Sequence, residues 1–337
     1  MVWGHCGAPF HRFIYLFHMA IFFMASGFCS WNQRVNSGKH LVAGIKKKIL
    51  RLYIPFVLFN ISLVFFNNIL VNNHIINSSF LNVSETIKEL IKVFLFFQHS
   101  DLAGATWFIR ILFFVSVVYA LICYFSGKSK RIGQIIQGLL LFTCVVFAQY
   151  FSDNRFPDIF YYFVPFFAAF IAFYLGLLER IIIQKIQHQI NMRLSFVIVI
   201  GSFAGLCLLY SVSEKEIEVA SGQINNVLFY SIAALLGWNM LYFFSVIIHK
   251  LKIHSILVFL GQHTMSIVLF HFLAFKIISY LYLIIKNQSL IGLSVHPVIK
   301  DGWLWVPYLI CGITIPILLS FIWTRIKMLF YDRRIKG

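Results

Sequence analysis

His18 sits inside the stretch Tyr15–Phe28, YLFHMAIFFMASGF, which is otherwise almost wholly apolar. Burying a polar group without a partner costs about 2–7 kcal/mol, so this imidazole has either a structural hydrogen bond or a chemical task. The same question attaches to His5 in MVWGHCGA, to His271 and Lys276 in the apolar run 256–285, and to Arg110, three residues after Trp107. An imidazole titrates near neutral pH and can take a proton from a weakly acidic hydroxyl and return it. Lys48 and Arg51, in KKKILRLYIP, offer other chemistry. Two cations one helical turn apart suit the oxygens of a phosphate, with the guanidinium able to bind bidentately. Each group also has a plainer role. A lone histidine in a helix bundle bonds a backbone carbonyl of a neighbouring helix. Arg110 and Lys276 run their charged heads to the interface, and the basic pair anchors the inner membrane face. Asn60, Gln149 and Asn239 read as polar glue between helices.

The elements that must position these residues are membrane helices. Of the 337 residues, 60% are hydrophobic and only 12% charged, against about 25% charged in soluble domains. Nine runs are long enough to cross a bilayer: 13–31, 49–71, 103–125, 132–151, 158–178, 194–212, 225–248, 256–285 and 303–324. The run 256–285 would measure about 45 Å as a straight helix against a hydrocarbon core of about 30 Å, so it must tilt, protrude or break, with Gly261 the expected place. Between spans, the Asn-rich loop 72–83 leads into SETIKELIKVFLFF, where Ile87, Leu90, Ile91, Phe94 and Leu95 share a helical face; the pattern predicts a short amphipathic helix at the membrane surface.

The formal net charge of +17 does not call for nucleic acid, because the basic residues cluster in short loops between apolar runs. Alternate loops and the tail 325–337 hold Arg34, Lys39, Lys46, Lys47, Lys48, Arg51, Lys128, Lys130, Arg131, Arg180, Lys185, Arg193, Lys250, Lys252, Arg325, Lys327, Arg333, Arg334 and Lys336. The opposite loops hold Arg12, Lys88, Lys92, Arg155, Lys215, Lys286 and Lys300. That 19-to-7 division places the first set and the C-terminus in the cytoplasm. Span 13–31 then runs inward, so residues 1–12 lie outside and read as the end of a truncated first helix and its loop. The expected fold is an all-α integral membrane protein, a polytopic bundle of nine full spans plus the end of that first one. Cys6, Cys29, Cys123, Cys144, Cys207 and Cys311 are scattered without a CxxC spacing, so neither a disulfide framework nor a metal is expected.

Taken in order, His5, FHMAIFFMASGF (17–28), KKILRLYIPF (47–56), WFIRILF (107–113) and LGQHTMSIVLFHF (260–272) resemble the membrane-bound acyltransferase-3 family, and in particular its sugar O-acetylating branch. The resemblance implies a single transmembrane acyltransferase domain over 1–337 with ten helices, in a bacterial inner membrane. It implies transfer of an acyl group, usually acetyl, from cytoplasmic acyl-coenzyme A to a hydroxyl of an extracytoplasmic glycan or lipid-linked sugar. It puts the family's histidines on His5 and His18 and its coenzyme-contacting basic pair on Lys48 and Arg51. His5 is then the candidate base, with His18 orienting it or donating to the oxyanion; an acyl-histidine intermediate is the alternative. Trp107, Arg110 and His271 are candidates for lining the acceptor side. The chain departs from the family in having Lys rather than Arg at the start of the basic pair, Ala20 where proline is usual, and no counterpart of the upstream basic and aspartate residues. The rival expectations are a transporter or flippase that uses its intramembrane histidines for proton coupling, and an inactive truncated acyltransferase.

Overall fold

The computed structural model describes residues 1–30, 35, 37–128, 130–153, 164–213 and 216–335. Position 31, the expected start of the fifth span at 158–163, and the charges of Arg34, Arg155, Lys215 and Lys336 lie outside the described residues. The described secondary structure is helical apart from one isolated bridge between Glu218 and Gln223. In chain order the helices are α1 (Val2–His5), α2 (His11–Tyr15), α3 (His18–Ser30), α4 (Gly38–Lys48), α5 (Ile54–Asn72), α6 (Val83–Phe94), α7 (Trp107–Lys128), α8 (Lys130–Asp153), α9 (Val164–Ile186), α10 (Met192–Val212), α11 (Val227–Lys250), α12 (Ser255–Gln262), α13 (Thr264–Ile285) and α14 (Trp305–Ile335). Short 3-10 turns and one π-turn join them.

Nine segments among the described residues are long and apolar enough to cross a membrane: His11–Ser30, Gly38–Asn72, Asp101–Gly127, Gly133–Phe151, Val164–Gln189, Met192–Val212, Val227–Lys250, Thr264–Ile285 and Gly302–Ile322. Each overlaps one of the nine runs read from the sequence, the fifth reaching further toward its C-terminal end than the expected 158–178. The over-long run breaks rather than tilts as one rod. α12 ends at Gln262, and His263, at φ −99° and ψ 7°, starts α13. The break falls two residues beyond Gly261. Where the end of a further span was expected, residues 2–5 form the single turn α1.

The second span is also interrupted. Between α4 and α5 the chain widens into a π-turn, Ile49–Tyr53, closed by a bond from the Ile54 N–H to the Ile49 carbonyl. Pro55 follows. It has no N–H to give to the carbonyl four residues back, and its ring crowds that carbonyl. A local widening to i→i+5 spacing is the accommodation the chain adopts.

The chain folds as two compact units. The first comprises Met1–His11, Pro55–Trp107 and Ser255–Gly337. Its core is the pair α13 and α14 with α1 against α14. Gly312 permits this closeness, since a Cβ there would lie 2.5 Å from the Phe275 ring and 2.9 Å from Val2. The predicted amphipathic helix is α6. It opens with a capping box, in which the Asn82 side chain accepts from the Glu85 N–H and Glu85 Oε2 accepts from the Asn82 N–H. Val93 packs inward, while Ile87, Ile91, Phe94 and Leu95 are exposed. The apolar stripe thus faces away from its own unit, as a helix lying in a membrane interface requires. A polar knot holds the inner side of α6. His99 Nδ1 lies 3.1 Å from Glu89 Oε2 and its Nε2 3.2 Å from Asn67 Oδ1, while its N–H donates to Asn60 Oδ1.

The second unit comprises Arg12–Ile54 and Phe108–His254. Here α3 and α9 cross at reciprocal glycines. A Cβ on Gly27 would fall 1.9 Å from the Phe173 carbonyl oxygen, and one on Gly176 2.0 Å from that of Met24. Lipid tails give helices no hydrophobic reason to associate, so such small-residue approaches and their van der Waals contacts carry the packing. α10 packs on α11, and α8 packs on α9 through the stacked rings of Phe147, Phe151 and Phe167. Two of the predicted polar residues tie this unit together. Gln149 Oε1 accepts the Val227 N–H at the start of α11, and Asn239 Nδ2 donates to Glu179 Oε1.

Candidate functional site

In the first unit, α1 and α13 bring two of the sequence candidates together. The His5 and His271 rings stack with centroids 5.6 Å apart. His271 is fully buried, and its Nδ1 lies 2.8 Å from the Ile267 carbonyl one turn back. A carbonyl only accepts, so in the neutral ring the hydrogen is on Nδ1 and Nε2 keeps its lone pair. Nε2 is buried with no hydrogen-bond partner among the described residues. A buried acceptor left open in this way costs stability. Phe272 adjoins both rings, 5.1 Å from His5 and 4.2 Å from His271.

His296 completes the cluster from the loop after α13, with its ring 4.7 Å from Phe272. His296 keeps an exposed edge, and partial desolvation by the cluster, with the Lys276 charge, lowers its pKa from the ordinary imidazole value against an upward pull from Asp101. Sequence reasoning did not select His296. It lies in a polar loop, so the rule that flags ionisable residues within spans passes over it. The loop is held in place by Lys276, whose Nζ donates to the Leu293 and Val295 carbonyls at 2.8 Å each. The two expectations for Lys276 were a functional cation and an interfacial one; the structure gives it the work of a strap. The close approach of Gly104 to the Phe272 ring and His296 fixes the other side of the cluster.

The remaining candidates lie in the second unit or at its boundary. His18 begins α3, is 7% exposed, and places Nδ1 3.2 Å from the Ile14 carbonyl. By the same argument as for His271, the hydrogen sits on Nδ1 and the lone pair on Nε2. The carbonyl it bonds belongs to the preceding short helix α2, four residues upstream in the same span. The Tyr15 ring stands 4.6 Å from it. Arg110 is buried on α7, one turn after Trp107. Lys48 and Arg51 flank the start of the π-turn. Lys48 is half-buried, within electrostatic reach of Cys123, and Arg51 is exposed. Toward the end of α3, the Phe28 ring lies at a tilt against those of Trp238 and Tyr242 and receives Arg180 at 4.9 Å from its centroid.

A family model described as an acyltransferase domain matches residues 1–325. No curated protein and no solved structure matches the chain.

Proposed function

This chain belongs to the membrane acyltransferase-3 family, and on that premise we propose that it transfers an acyl group, acetyl in the simplest case, from cytoplasmic acyl-coenzyme A to a hydroxyl of an extracytoplasmic or cell-surface glycan. The membrane is read as a bacterial inner membrane, with the basic loops and the C-terminus on the cytoplasmic side. The observation that carries the reading is the open Nε2 of the fully buried His271 beside the His5 ring.

His5 acts as the base. The acceptor oxygen attacks the thioester carbonyl carbon, the carbon–sulfur bond breaks, and the proton taken from the hydroxyl ends on the departing thiolate sulfur. No net proton is gained or lost. His271 is a substrate contact, with Nε2 accepting from a hydroxyl next to the reacting one and so fixing which oxygen attacks. His18 is proposed as a second catalytic group through its own Nε2. Lys48 and Arg51 grip the coenzyme phosphates as a point charge and a fork. Trp107 and Arg110 line the acceptor side.

The test is a kinetic split in membranes supplied with labelled acetyl-coenzyme A. His5→Ala lowers kcat, while His271→Ala chiefly raises the KM for the acceptor. Full activity in His5→Ala at normal expression refutes its role as base. Absence of labelled ester on any glycan with the unaltered chain refutes the transfer reading.

A further inference from the structure

Three tryptophan rings form a ladder at one end of the first unit. Trp303 is 79% exposed, more than any other described large apolar side chain. Its centroid lies 6.1 Å from that of Trp305, which lies 5.4 Å from that of Trp3. Trp3 is locked, because its Nε1 donates to the Pro9 carbonyl at 3.0 Å. Trp3 and His5 share the single turn α1, and His5 stacks on His271. The ladder therefore begins at the surface and ends on the helix that carries the proposed base.

Its outer rung is set among polar groups. Lys300 and Asp301 are exposed, and Asp301 Oδ2 accepts from the Tyr282 hydroxyl at 2.6 Å. Gly302, at φ +45°, turns the chain between Asp301 and Trp303 through a conformation that side-chain-bearing residues rarely adopt. A tryptophan face is a broad, rigid apolar plate with a polar edge. Beside a carboxylate and an ammonium, it matches a pyranose ring, which has a C–H face to stack and hydroxyls at its rim to bond. Tryptophans that only anchor a bundle at the membrane interface need no ring-to-ring order. They have no need to share a turn with a histidine that stacks on a buried one either.

We propose that Trp303, Trp305 and Trp3 form a sugar-stacking platform that receives the glycan acceptor and guides it toward His5. The direction of travel rests on the acyl-transfer reading; the binding itself does not. The full chain in nanodiscs of phosphatidylethanolamine and phosphatidylglycerol is applied to an array of bacterial surface oligosaccharides stripped of O-acetyl groups by mild alkali. The unaltered chain binds members of the array. Trp303→Ala weakens that binding about tenfold, Trp303→Phe keeps most of it, and Ile291→Ala, on the preceding exposed loop, leaves it unchanged. Failure of the unaltered chain to bind, or equal binding by Trp303→Ala, overturns the platform. So does quenching of the Trp303 fluorescence by brominated lipid, read as the difference from Trp303→Ala, because the ring is then a lipid anchor. Labelled acetyl-coenzyme A separates the two readings. Glycan binding without ester formation sinks acyl transfer and keeps the platform, whereas ester formation with an acceptor KM indifferent to Trp303→Ala sinks the platform and keeps acyl transfer.

Discussion

Replacing Gly27 by alanine sets two effects of opposite sign against each other. In a helix interior, alanine is favoured over glycine by about 1 kcal/mol, so propensity alone makes Gly27→Ala stabilising. The crossing of α3 and α9 says otherwise. The added Cβ would stand 1.9 Å from the Phe173 carbonyl oxygen and 2.8 Å from its carbon, where ordinary contact begins at 3.4 Å. The obstacle is backbone, so no rotamer change relieves it, and the helices must part by about 1.5 Å at that point. A gap of 0.5–1 Å already forfeits about a quarter to a half of each van der Waals well it opens. The wells at risk belong to Phe23, Met24, Phe170, Phe173 and Leu177, all buried on these two helices. In lipid no hydrophobic term closes the gap again. The expected net loss is about 3 kcal/mol, the upper end of the range for overpacking. Unfolding of the detergent-solubilised chain by titrated SDS measures it. Gly201→Ala, where nothing lies within 4 Å of the added Cβ, is the control and is expected to be neutral or slightly stabilising. A Gly27→Ala protein as stable as the unaltered chain, or more so, refutes the argument.

Three further outcomes are expected. Burial works to raise the Glu89 pKa, but hydrogen bonds from Lys92 and His99 outweigh it and hold the carboxyl below its ordinary range. A carboxyl held low when folded adds stability above its unfolded pKa, and that stability is lost as pH falls through the folded value. The hydrogen-exchange protection factors of α6 should therefore fall over that acid range, and Glu89→Gln should flatten the profile; identical profiles would sink this account. Lys276→Met leaves the Leu293 and Val295 carbonyls short of a buried donor, at a cost of about 1–3 kcal/mol. Exchange protection in the loop after α13 should drop, and unchanged protection would show that the strap is dispensable. The double change Lys48→Ala/Arg51→Ala should weaken acetyl-coenzyme A binding by about a hundredfold or more, since it removes two charge-assisted hydrogen bonds worth about 1.5–3 kcal/mol each; an unaltered calorimetric Kd would count against the clamp.

The nine spans and α6 were legible in the sequence because both signals are local. A run of about 20 apolar residues must be a helix in lipid, where every backbone polar group has to be satisfied within the segment. An amphipathic repeat behind an Asn-x-x-Glu capping box announces its own start. The over-long run 256–285 announced that it had to give way, though not that His263 would be the place. Pro55 was visible; the π-turn that absorbs it was not. The pairing of His5 with His271, the arrival of His296 beside Phe272, the approach of Trp3 to Trp305 and the meeting of Gly27 with Phe173 are matters of which helix lies beside which, and at what rotation. Helices that are apolar on all sides carry no face signal to say so. In a solvent as apolar as the side chains themselves, that choice falls to close packing and to a few polar contacts between segments far apart in the chain, and these are decided only when the whole bundle is assembled.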